Sequence, residues 1–421
     1  MPRLQETTHE PAQPQRVPVL HAVQTVGLPS ETFIRDAIAE LEALGWTPWL
    51  VTEASAGPAD AVPPERIVTT PRMLPLVDRV AVRMPVPRTR DRSWVRYSHK
   101  YLAAFANAPA GVVHAHFGWT GTYCSLAART LRLPLLVSFH GSDLTVSANE
   151  PVWREPYEVM LAQANHVTVV SHFLERKLRR IGYEGPATIL PAGVRLENFP
   201  FSGPARRTDE LRILFVGRLI ACKGVDTLID ALARVRAEGV EATLRVVGDG
   251  PLRTELEANM RANGLTAAVR FLGALSHDEV RRELQHSNIV AVPSRKMPHG
   301  QEEGSPVVSK EAQAIGVPVV ATDVGGIPET FPPEFRSELV PPDRPEALAQ
   351  RIAQMWSEYE QWPARSQKHR EWVESEFAWD KLAQRLSAIY DRLVLERPPS
   401  RASLARWVRS SRRGNMTLRL R

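Results

Sequence analysis

Two carboxylates in the segment GQEEGSPVVSKE, residues 300–311, are of a type and spacing that could bind a ligand. Glu303 and Glu311 are eight positions apart, and Ser305 and Pro306 lie between them. Serine is a favoured N-cap and proline a favoured first helical residue, so the spacing predicts a helix that begins at Pro306. Glu303 would then lie on the loop entering the helix, and Glu311 about one and a half turns into it.

The N-terminus of this predicted helix would suit an anion. Its first free N–H groups, around Val307 and Val308, would point outward with the positive end of the helix dipole. Two carboxylates that flank such donors indicate a site for a polyhydroxylated, anionic ligand. A capped surface helix with two solvated glutamates is the alternative interpretation of this segment taken alone.

Two cations and a glycine-rich turn could bind phosphate. Arg218 directly follows an apolar strand pattern and Lys223 comes just before the next helix pattern, so both would lie on one loop. An arginine fork can grip phosphate oxygens, and a lysine supplies a mobile point charge. Together with the turn GDGP (248–251), this loop predicts a diphosphate site. Neither G-x-G-x-x-G nor G-x4-G-K-[ST] occurs, which argues against a Rossmann dehydrogenase and a P-loop NTPase.

Short apolar strands alternate with amphipathic helices in both halves of the chain, which is typical of parallel sheets with crossover helices. The strand patterns are VPVLHAV, TPWLVTE, GVVHAH, LPLLVSF, HVTVV and ATILP in the first half, and LRILFVG, ATLRVVG, VRFLG, NIVAVP and VPVVATD in the second. The polar segment 199–210 is predicted to link the halves. We therefore predict an α/β protein with two doubly wound, Rossmann-like parallel-sheet domains facing each other across a cleft.

The residues that follow each strand are the informative ones, because ligands of open parallel sheets bind beyond the carboxyl ends of the strands. In the first domain these residues are Gly27, His116, His140 and Asp143. In the second domain they are the loops 217–224, 248–251, 272–273, 293–306 and 323–329.

The composition is that of an ordinary globular protein with two domains. The 421 residues are 43% apolar and 24% charged, and no apolar run approaches the ~18 residues of a membrane span. The first 16 residues lack the apolar core of a secretory signal, so we expect a cytoplasmic protein. The only cysteines, Cys124 and Cys222, have neither disulfide-framework nor zinc-site spacing.

The net charge of +6 comes from the C-terminal end. Eight arginines and no acidic residue follow Glu396, so the rest of the chain carries a net charge of −2 (6 minus 8). A second basic cluster contains the aromatic residues Trp94 and Tyr97, and such segments can lie on anionic lipid. A solvated charged surface is the alternative. The basic residues of this cluster are Arg79, Arg83, Arg88, Arg90, Arg92, Arg96 and Lys100.

Five segments, in order and at matching spacing, resemble the retaining glycosyltransferases of family 4, which have the GT-B fold. These segments are FHGSDL, FVGRLIACKGVDTLIDAL, VVGDGPL, FLGALSHDEV and EGSPVVSKEAQAIGVPVVATDVGGIPE. The resemblance covers about residues 17–396. Two further segments, SETFIRDAIAEL and HAHFGWTG, resemble the branch associated with colanic acid, amylovoran and related exopolysaccharides.

The resemblance implies catalytic roles for four residues. Arg218 and Lys223 match the positions that bind the donor diphosphate, and Glu303 matches the carboxylate near the donor sugar. His140 matches the histidine that faces the transferred sugar. Glu311 matches the carboxylate that accepts hydrogen bonds from the ribose hydroxyls.

The resemblance also implies donor contacts made by loops and backbone. Gly27 matches the loop that closes over the diphosphate, and backbone near Leu272 and Gly273 would contact the base. His116 and Asp143 are candidate acceptor or cleft residues, although Asp143 is favoured as an anchor of its own turn. The backbone that would meet the sugar and distal phosphate runs through Gly304, Ser305, Pro306 and Val307, with no N–H at the proline.

The implied reaction is transfer of a hexose from a UDP- or GDP-sugar to a saccharide or lipid-linked acceptor, with retention of configuration. Cations and N–H groups would stabilise the departing diphosphate. The sequence contains no D-x-D motif, so we expect no metal and no other cofactor. We expect no nucleic-acid partner, and a location in the cytoplasm or at the inner face of the membrane.

The predicted organisation has five parts and leaves two alternatives open. A flexible N-terminus (1–16) precedes an acceptor-binding domain (17–200) and a donor-binding domain (201–376), then a helix that packs back on the first domain (377–396) and a basic, flexible tail (397–421). One alternative is a nucleotide-sugar epimerase of the same fold, which needs no acceptor. The other is a nucleic-acid-binding protein that acts through its Arg-rich tail.

Overall fold

The computed structural model describes residues 16–28, 31–57, 61–71 and 93–396. In this part of the chain, one sheet has seven strands in the order β3-β2-β1-β4-β5-β6-β7 and the other has five in the order β10-β9-β8-β11-β12. The strands of the first sheet are β1 (Pro18–Val26), β2 (Thr47–Ser55), β3 (Ile67–Thr69), β4 (Val112–His116), β5 (Leu135–Phe139), β6 (His166–Val169) and β7 (Ala187–Ile189). Those of the second are β8 (Leu211–Val216), β9 (Ala242–Val247), β10 (Val269–Gly273), β11 (Ile289–Val292) and β12 (Val319–Ala321).

Helices connect the strands in both domains. In the described part of the first domain they are α1 (Thr32–Ala43), α2 (Ser93–Ala106), α3 (Gly118–Leu131), α4 (Ser142–Thr145), α5 (Pro151–Leu161) and α6 (His172–Arg180). In the second domain they are α7 (Val225–Ala237), α8 (Arg253–Ala262), α9 (His277–His286), α10 (Val307–Ile315), α11 (Pro345–Ser357) and α12 (Trp362–Glu376). The last helix of the described residues, α13 (Trp379–Glu396), follows α12 directly.

All strands that pair within the two sheets are parallel, which confirms the predicted α/β protein with two doubly wound, Rossmann-like domains. The strands β4, β5, β6 and β11 are buried along their whole length. Parallel strands are covered on both faces, which explains why these segments are nearly continuous apolar runs.

The edge strand β3 is absent from the sequence patterns. Ile67–Thr69 pairs with β2 at the edge of the first sheet, and its three side chains are half-buried or exposed. Such a segment carries no apolar run or strict alternation that could indicate a strand. Pairing with β2, which is a tertiary contact, makes it one.

The chain crosses between the domains at two places that lie side by side. The first crossing follows β7 and continues through residues 200–210, which have no regular structure. The second lies between α12 and α13. Backbone hydrogen bonds join the two crossings, because the Val194 N–H donates to Phe377 O (2.8 Å) and the Trp379 N–H donates to Val194 O (3.1 Å).

The helix α13 covers one face of the first sheet. Its buried residues Leu386 and Tyr390 pack with Leu41 of α1, Trp46 and Val112 of β4. Two hydrogen bonds add to this contact: Trp46 Nε1–H donates to Ser387 Oγ (3.0 Å), and the Tyr390 hydroxyl pairs with His114 Nδ1 (2.6 Å). The helix α13 is thus part of the first domain's core.

Side chains also join the two domains near their facing edges. The Glu329 carboxylate accepts hydrogen bonds from the backbone N–H groups of His172 (2.6 Å) and Phe173 (2.8 Å), at the start of α6. Lys177, one turn further along α6, pairs with Glu302 (3.1 Å). A carboxylate at a helix N-terminus is favourable because it satisfies free N–H groups at the positive end of the dipole.

Several predictions from the sequence lie outside the described residues. These are the basic tail, the first 15 residues of the N-terminal segment, and the cluster members from Arg79 to Arg92. Of the cluster members within the described part, Arg96 is exposed on α2 and Lys100 lies over the Tyr97 ring (5.2 Å to the centroid). Among the helices of the described residues, none has the length and apolar character that crossing a bilayer requires.

Replacing Leu386 should measure how much α13 contributes to stability. Leu386 is 1% exposed, so we expect Leu386→Ala to lower the free energy of unfolding by about 2–4 kcal/mol through lost burial and a residual cavity. Urea unfolding of the full chain measures this change. Leu395→Ala is the matched control on the same helix, because Leu395 is 81% exposed and should change stability by less than about 0.5 kcal/mol. Equal effects of the two substitutions would contradict this packing.

Candidate functional site

The helix that carries Glu311 begins one residue later than predicted. α10 starts at Val307, and Pro306 is the N-cap with an extended backbone (φ −63°, ψ 126°), so the predicted start at Pro306 with Ser305 as N-cap is wrong. Pro306 is outside the helix because its ψ is extended, and Ser305 Oγ accepts a hydrogen bond from Lys310 Nζ (3.1 Å).

Lys310 ties this helix to the crossing between the domains. Its side chain is fully buried, and its ammonium donates to the carbonyl of Ala192 as well as to Ser305. Burial lowers the pKa of Lys310 to about 7, and the neighbouring Glu311 carboxylate opposes that shift. The contact with Ala192 therefore fixes the N-terminus of α10 to the segment that leaves the first domain.

Glu303 and Lys223 come together as the sequence predicts for one site. Lys223 ends a short 3₁₀ turn, Ala221–Lys223, after β8, and its ammonium forms an ion pair with the Glu303 carboxylate. Ser294 Oγ also donates to Glu303 (3.2 Å). The adjacent Glu302 faces a different group, because it pairs with Lys177 of α6. The two consecutive glutamates thus have separate partners.

Arg218 lies near this pair and is the exposed cation of the loop after β8. Its guanidinium forms no hydrogen bond or ion pair with the residues that the structure describes. Glu31, at the start of α1 in the first domain, lies within electrostatic range of it. Burial raises the pKa of Glu31 to about 7, and the Arg218 guanidinium opposes that rise. An arginine without a local partner is free to bind an anionic ligand.

Glu311 is buried on α10 and has a partner that sequence reasoning missed. His277 Nε2 lies 3.3 Å from Glu311 Oε1, and Glu311 is 7% exposed. The hydrogen bond to Glu311 raises the pKa of His277 above its usual value. His277 is the first residue of α9, which begins at the Ser276–Glu279 capping box. That box could have been found in the sequence, but the proximity to Glu311 could not.

Leu272 and Gly273 end the strand β10, just before α9. Gly273 has φ +75°, and its carbonyl accepts a hydrogen bond from the Gly248 N–H (2.8 Å). The Gly248 backbone in turn lies against Gly217, since a Cβ on Gly248 would come within 1.9 Å of Gly217 O. The three loops after β8, β9 and β10 are therefore in backbone contact beside Arg218.

His140 reaches the site from the first domain. It follows β5, and its carbonyl lies against Gly304, where an added Cβ would come within 2.7 Å of His140 O. Glycine at position 304 is thus required for the close approach of the domains. The His140 ring packs against Phe33 and Phe117, each with a centroid separation of 4.7 Å.

Asp143 and His116 are buried, so neither side chain is exposed to an acceptor in this structure. Asp143 is 0% exposed, and its carboxylate accepts hydrogen bonds from the backbone N–H groups of Gly118, His140, Gly141 and Leu144. Burial raises the pKa of Asp143 to about 6, although these hydrogen bonds act in the opposite direction. Asp143 anchors the turn that carries His140.

Gly27 lies at the end of β1, beside a cavity of about 170 Å³. Its φ is +81°, and a Cβ there would lie 2.6 Å from the backbone of Gly57, so glycine lets the loops after β1 and β2 meet. The cavity wall is mainly apolar and includes Val23, Ile34, Leu50 and the side chain of Glu31.

Within the described residues, the imidazoles of His21, His114 and His116 have metal-ligand spacing, with ring nitrogens within 4.8 Å of one another. All three are buried, and burial holds the pKa of each well below its usual range, so the rings are neutral. Both nitrogens of His114 already have partners, Tyr390 Oη and Ser138 Oγ, each at 2.6 Å. Metal binding by all three rings would have to break these bonds.

The arrangement can bind a diphosphate and hydroxyl groups in one cleft. Arg218, Lys223 and the N–H groups at the start of α10 provide positive charge and donors, and Glu303 and Glu311 provide acceptors. Sequence reasoning identified these groups but missed His277 and Glu31, which lie elsewhere in the chain.

Two family models cover most of the chain. The model for Glycosyltransferase Family 4 matches residues 30–198, and the model for Glycosyl transferases group 1 matches residues 199–373. The boundary between the two matches lies at the start of the segment that crosses from the first domain to the second.

Curated relatives of the chain are also named as glycosyltransferases. The chain is 31% identical to the GDP-mannose-dependent alpha-(1-6)-phosphatidylinositol monomannoside mannosyltransferase of Mycobacterium tuberculosis, over 64% of this chain and 74% of that enzyme. It is 28% identical to the gpi3 subunit of phosphatidylinositol N-acetylglucosaminyltransferase of Schizosaccharomyces pombe, over 68% of this chain and 62% of that protein. It is also 28% identical to the amylovoran biosynthesis glycosyltransferase AmsK of Erwinia amylovora, over 57% of this chain and 60% of that protein.

Solved structures share the fold. A sucrose-phosphate synthase from Thermosynechococcus elongatus matches 90% of this chain and 100% of its own, with a TM-score of 0.72 and 23% identity. Anabaena HepE in complex with UDP and glucose matches the same shares, with a TM-score of 0.70 and 17% identity. These likenesses show the GT-B fold. Together with the family models and the relatives, they confirm the resemblance seen in the sequence: the chain belongs to glycosyltransferase family 4, and its second half is of the glycosyl transferases group 1 type.

Proposed function

We propose that this protein transfers a hexose from a nucleoside diphosphate sugar to a saccharide or lipid-linked acceptor, with retention of configuration and without a metal. The observation that carries the proposal is the convergence of Arg218, Lys223, Glu303 and Glu311 around the N-terminus of α10 in a chain of this family. Two cations and two carboxylates in one cleft suit a ligand in which a diphosphate lies between two polyhydroxylated groups.

The charged residues would act on the leaving group. The bond between the anomeric carbon and the phosphate oxygen breaks, and the bond from that carbon to the acceptor oxygen forms on the same face of the sugar. The departing phosphate oxygen takes the proton of the acceptor hydroxyl. Arg218, Lys223 and the N–H groups of α10 stabilise the negative charge that develops on the diphosphate, without having to reorganise.

The two glutamates would hold the ends of the donor. Lys223 neutralises Glu303 in this structure, so a bound diphosphate would compete for Lys223 and leave Glu303 to accept from a sugar hydroxyl. Glu311, held by His277, would accept from the ribose hydroxyls. The backbone at Leu272 and Gly273 would meet the base, and Gly304–Val307 would meet the sugar and distal phosphate.

The first domain would complete the site around the transferred sugar. The His140 backbone contacts Gly304, which is next to Glu303. This contact supports His140 as the residue that faces the transferred sugar. Gly27 lies near Glu31, which is in electrostatic range of Arg218, so the loop at Gly27 is in a suitable place to close over the diphosphate.

The relatives indicate which donors and acceptors to test. HepE was solved with UDP-glucose, and the mycobacterial relative is named as GDP-mannose-dependent, which makes UDP- and GDP-sugars the donor candidates. The amylovoran relative supports a growing exopolysaccharide as the acceptor. Metal independence is supported by the two cations, which could take the place of a divalent ion at the diphosphate.

Nucleotide binding should raise the thermal stability of the full chain. A ligand that binds only the folded state stabilises it by RT ln(1 + [L]/Kd), about 2.7 kcal/mol at a hundredfold excess over Kd. We expect UDP or GDP at millimolar concentration, without divalent metal, to raise the melting temperature. Glu311→Ala should weaken binding by about 2 kcal/mol, because a charged acceptor for the ribose is lost.

The control for this measurement is Glu302→Ala, which removes a neighbouring carboxylate that pairs with Lys177 instead of facing the donor. It should keep the nucleotide-dependent shift, measured from its own ligand-free melting temperature. The donor-site assignment would be contradicted if no nucleotide shifted the wild type, or if Glu311→Ala and the wild type shifted equally.

Turnover should persist in EDTA and depend on Arg218. With a UDP- or GDP-sugar and an oligosaccharide acceptor, we expect a glycoside product of retained anomeric configuration, identified by NMR. Arg218→Ala should lower kcat by about 10²–10³-fold, the usual effect of losing one donor to a developing anion. Arg261→Ala, at an exposed position on α8, is the control.

Activity that is lost in EDTA and restored by Mg²⁺ would overturn metal independence. Release of an isomerised sugar in the absence of an acceptor would identify the protein as an epimerase.

We also propose that the protein associates with anionic membrane surfaces in the cytoplasm. Arg96 and Tyr97 are exposed on α2, with Lys100 beside Tyr97, and basic and aromatic side chains together suit anionic headgroups. Co-sedimentation with phosphatidylglycerol vesicles should exceed that with phosphatidylcholine vesicles, and the double change Arg96→Glu with Lys100→Glu should reduce it several-fold. Arg261→Glu on the second domain should not. Equal binding to both kinds of vesicle would refute the association.

A further inference from the structure

Three imidazoles, of which His21 and His116 are buried and His140 is half-buried, form a hydrogen-bonded chain that ends at His140. His21 Nδ1 lies 3.2 Å from His116 Nε2, and His116 Nδ1 lies 3.3 Å from His140 Nε2. The parallel register builds this chain. His21 of β1 is opposite His114 of β4, His116 is two residues further on the same face of β4, and His140 follows the adjacent strand β5.

The two ends of the chain have no partner. His21 Nε2 and His140 Nδ1 are buried and form no hydrogen bond with the residues that the structure describes. Burial lowers the pKa of His21 and of His140 to about 3, and holds that of His116 well below its usual range. All three rings are therefore neutral near neutral pH.

Neutral imidazoles in a chain cannot choose their tautomers independently. Each ring has one N–H donor and one lone-pair acceptor, so every hydrogen bond in the chain must run in the same direction. If His21 donates from Nδ1, then His116 donates from Nδ1 and His140 carries its proton on Nδ1. In the opposite direction, the protons lie on the Nε2 atoms, and His140 Nδ1 carries a lone pair.

The cost of an unpaired group selects one direction. Among buried backbone groups, unpaired N–H donors are rarer than under-satisfied acceptors, and we apply the same preference to these rings. An N–H on His21 Nε2 would be an unpaired donor in the core of the first domain at all times. An N–H on His140 Nδ1 is also unpaired in this structure, but His140 is only half-buried and lies against Gly304, so a small shift of the ring toward a bound sugar would give that N–H an acceptor.

We propose that His116 and His21 fix the tautomer of His140, so that His140 presents an Nδ1–H donor to an oxygen of the transferred sugar. This inference rests on the proposed function, because it requires His140 to face that sugar. His116 and His21 are positioning residues, since they act through His140 and are not exposed to a ligand. His116 is 2% exposed and His21 is 0% exposed.

Ring packing supports a fixed orientation as well as a fixed tautomer. The rings of His21 and His116 are stacked with centroids 5.5 Å apart and an interplanar angle of 17°, and His116 and His140 have the same values. Phe33 and Phe117 contact the His140 ring from the other elements around it. A flip of the His140 ring would break its bond to His116 and disturb these contacts.

The tautomer can be measured in the full-length protein without any substrate. Long-range ¹H–¹⁵N NMR of protein labelled with ¹⁵N-histidine distinguishes Nδ1–H from Nε2–H rings, and loss of one signal in His140→Asn assigns His140. We expect the wild type to show His140 as the Nδ1–H tautomer. In His116→Phe, which keeps a planar ring but removes both nitrogens, we expect His140 to lose this single tautomer. His21→Phe provides a second break in the chain in case His116→Phe does not fold.

The matched control is His114→Phe. His114 is as buried as His116 and lies beside it, with ring centroids 4.2 Å apart, but its hydrogen bonds go to Tyr390 and Ser138 and not into the chain. It should destabilise the fold and leave the His140 tautomer unchanged. The proposal is overturned if wild-type His140 is the Nε2–H tautomer, or if His116→Phe and His21→Phe leave it unchanged.

Kinetics and metal analysis complete the test. In the variants that break the chain, kcat should fall about ten- to a hundredfold, because a misoriented group loses most of its contribution, while the donor KM changes less than about threefold. Absence of all transferase activity would refute the proposed function but leave the tautomer result valid. If the wild type contained one equivalent of zinc and His21→Phe contained none, the histidines would form a metal site and the proposal would be wrong.

Discussion

The site depends on one close backbone approach between the two domains, at Gly304. A Cβ at this position would come within 2.7 Å of the His140 carbonyl, and a Cβ on Gly326 would come within 1.8 Å of the Gly304 carbonyl. Only glycine permits such contacts without a shift of the backbone. His140 and Glu303 belong to different domains. A larger residue at position 304 that pushed the two backbones apart would therefore separate the two halves of the site. The hydrogen bonds from the start of α6 to Glu329 hold the same edges together.

The charged groups of the site are already paired with one another. Lys223 holds Glu303, His277 holds Glu311, and Arg218 alone has no partner within the described residues. Removing a charge from water is costly unless it is paired, so these contacts offset the cost of burying the two carboxylates. A ligand that brings its own charges and hydroxyls can exchange with these partners. This arrangement favours a diphosphate with hydroxyl groups on both sides over a simple anion.

Buried polar groups fix the loops that present these side chains. Asp143 gathers four backbone N–H groups around the turn of His140, Lys310 joins the start of α10 to Ala192, and the imidazole chain lies beneath His140. Buried polar groups are expensive when unpaired, so the hydrogen bonds of Asp143 and Lys310 leave these loops few alternative arrangements. Buried residues beneath the candidate site thus determine where its side chains lie.

The sequence by itself determined the fold class, the order of all described strands except β3 and the main candidate site residues. Apolar runs identify buried parallel strands, and residues after such strands must lie at the carboxyl edge of a sheet, which is how Arg218, Lys223 and His140 could be identified. The tertiary structure alone decided the rest. α10 starts at Val307 because the Pro306 backbone is extended, and β3 exists because β2 pairs with it. His277, Glu31 and His21 come close to the site from distant positions in the chain. Local patterns carry no information about such partners, because their proximity arises only when the two sheets and their crossings pack together.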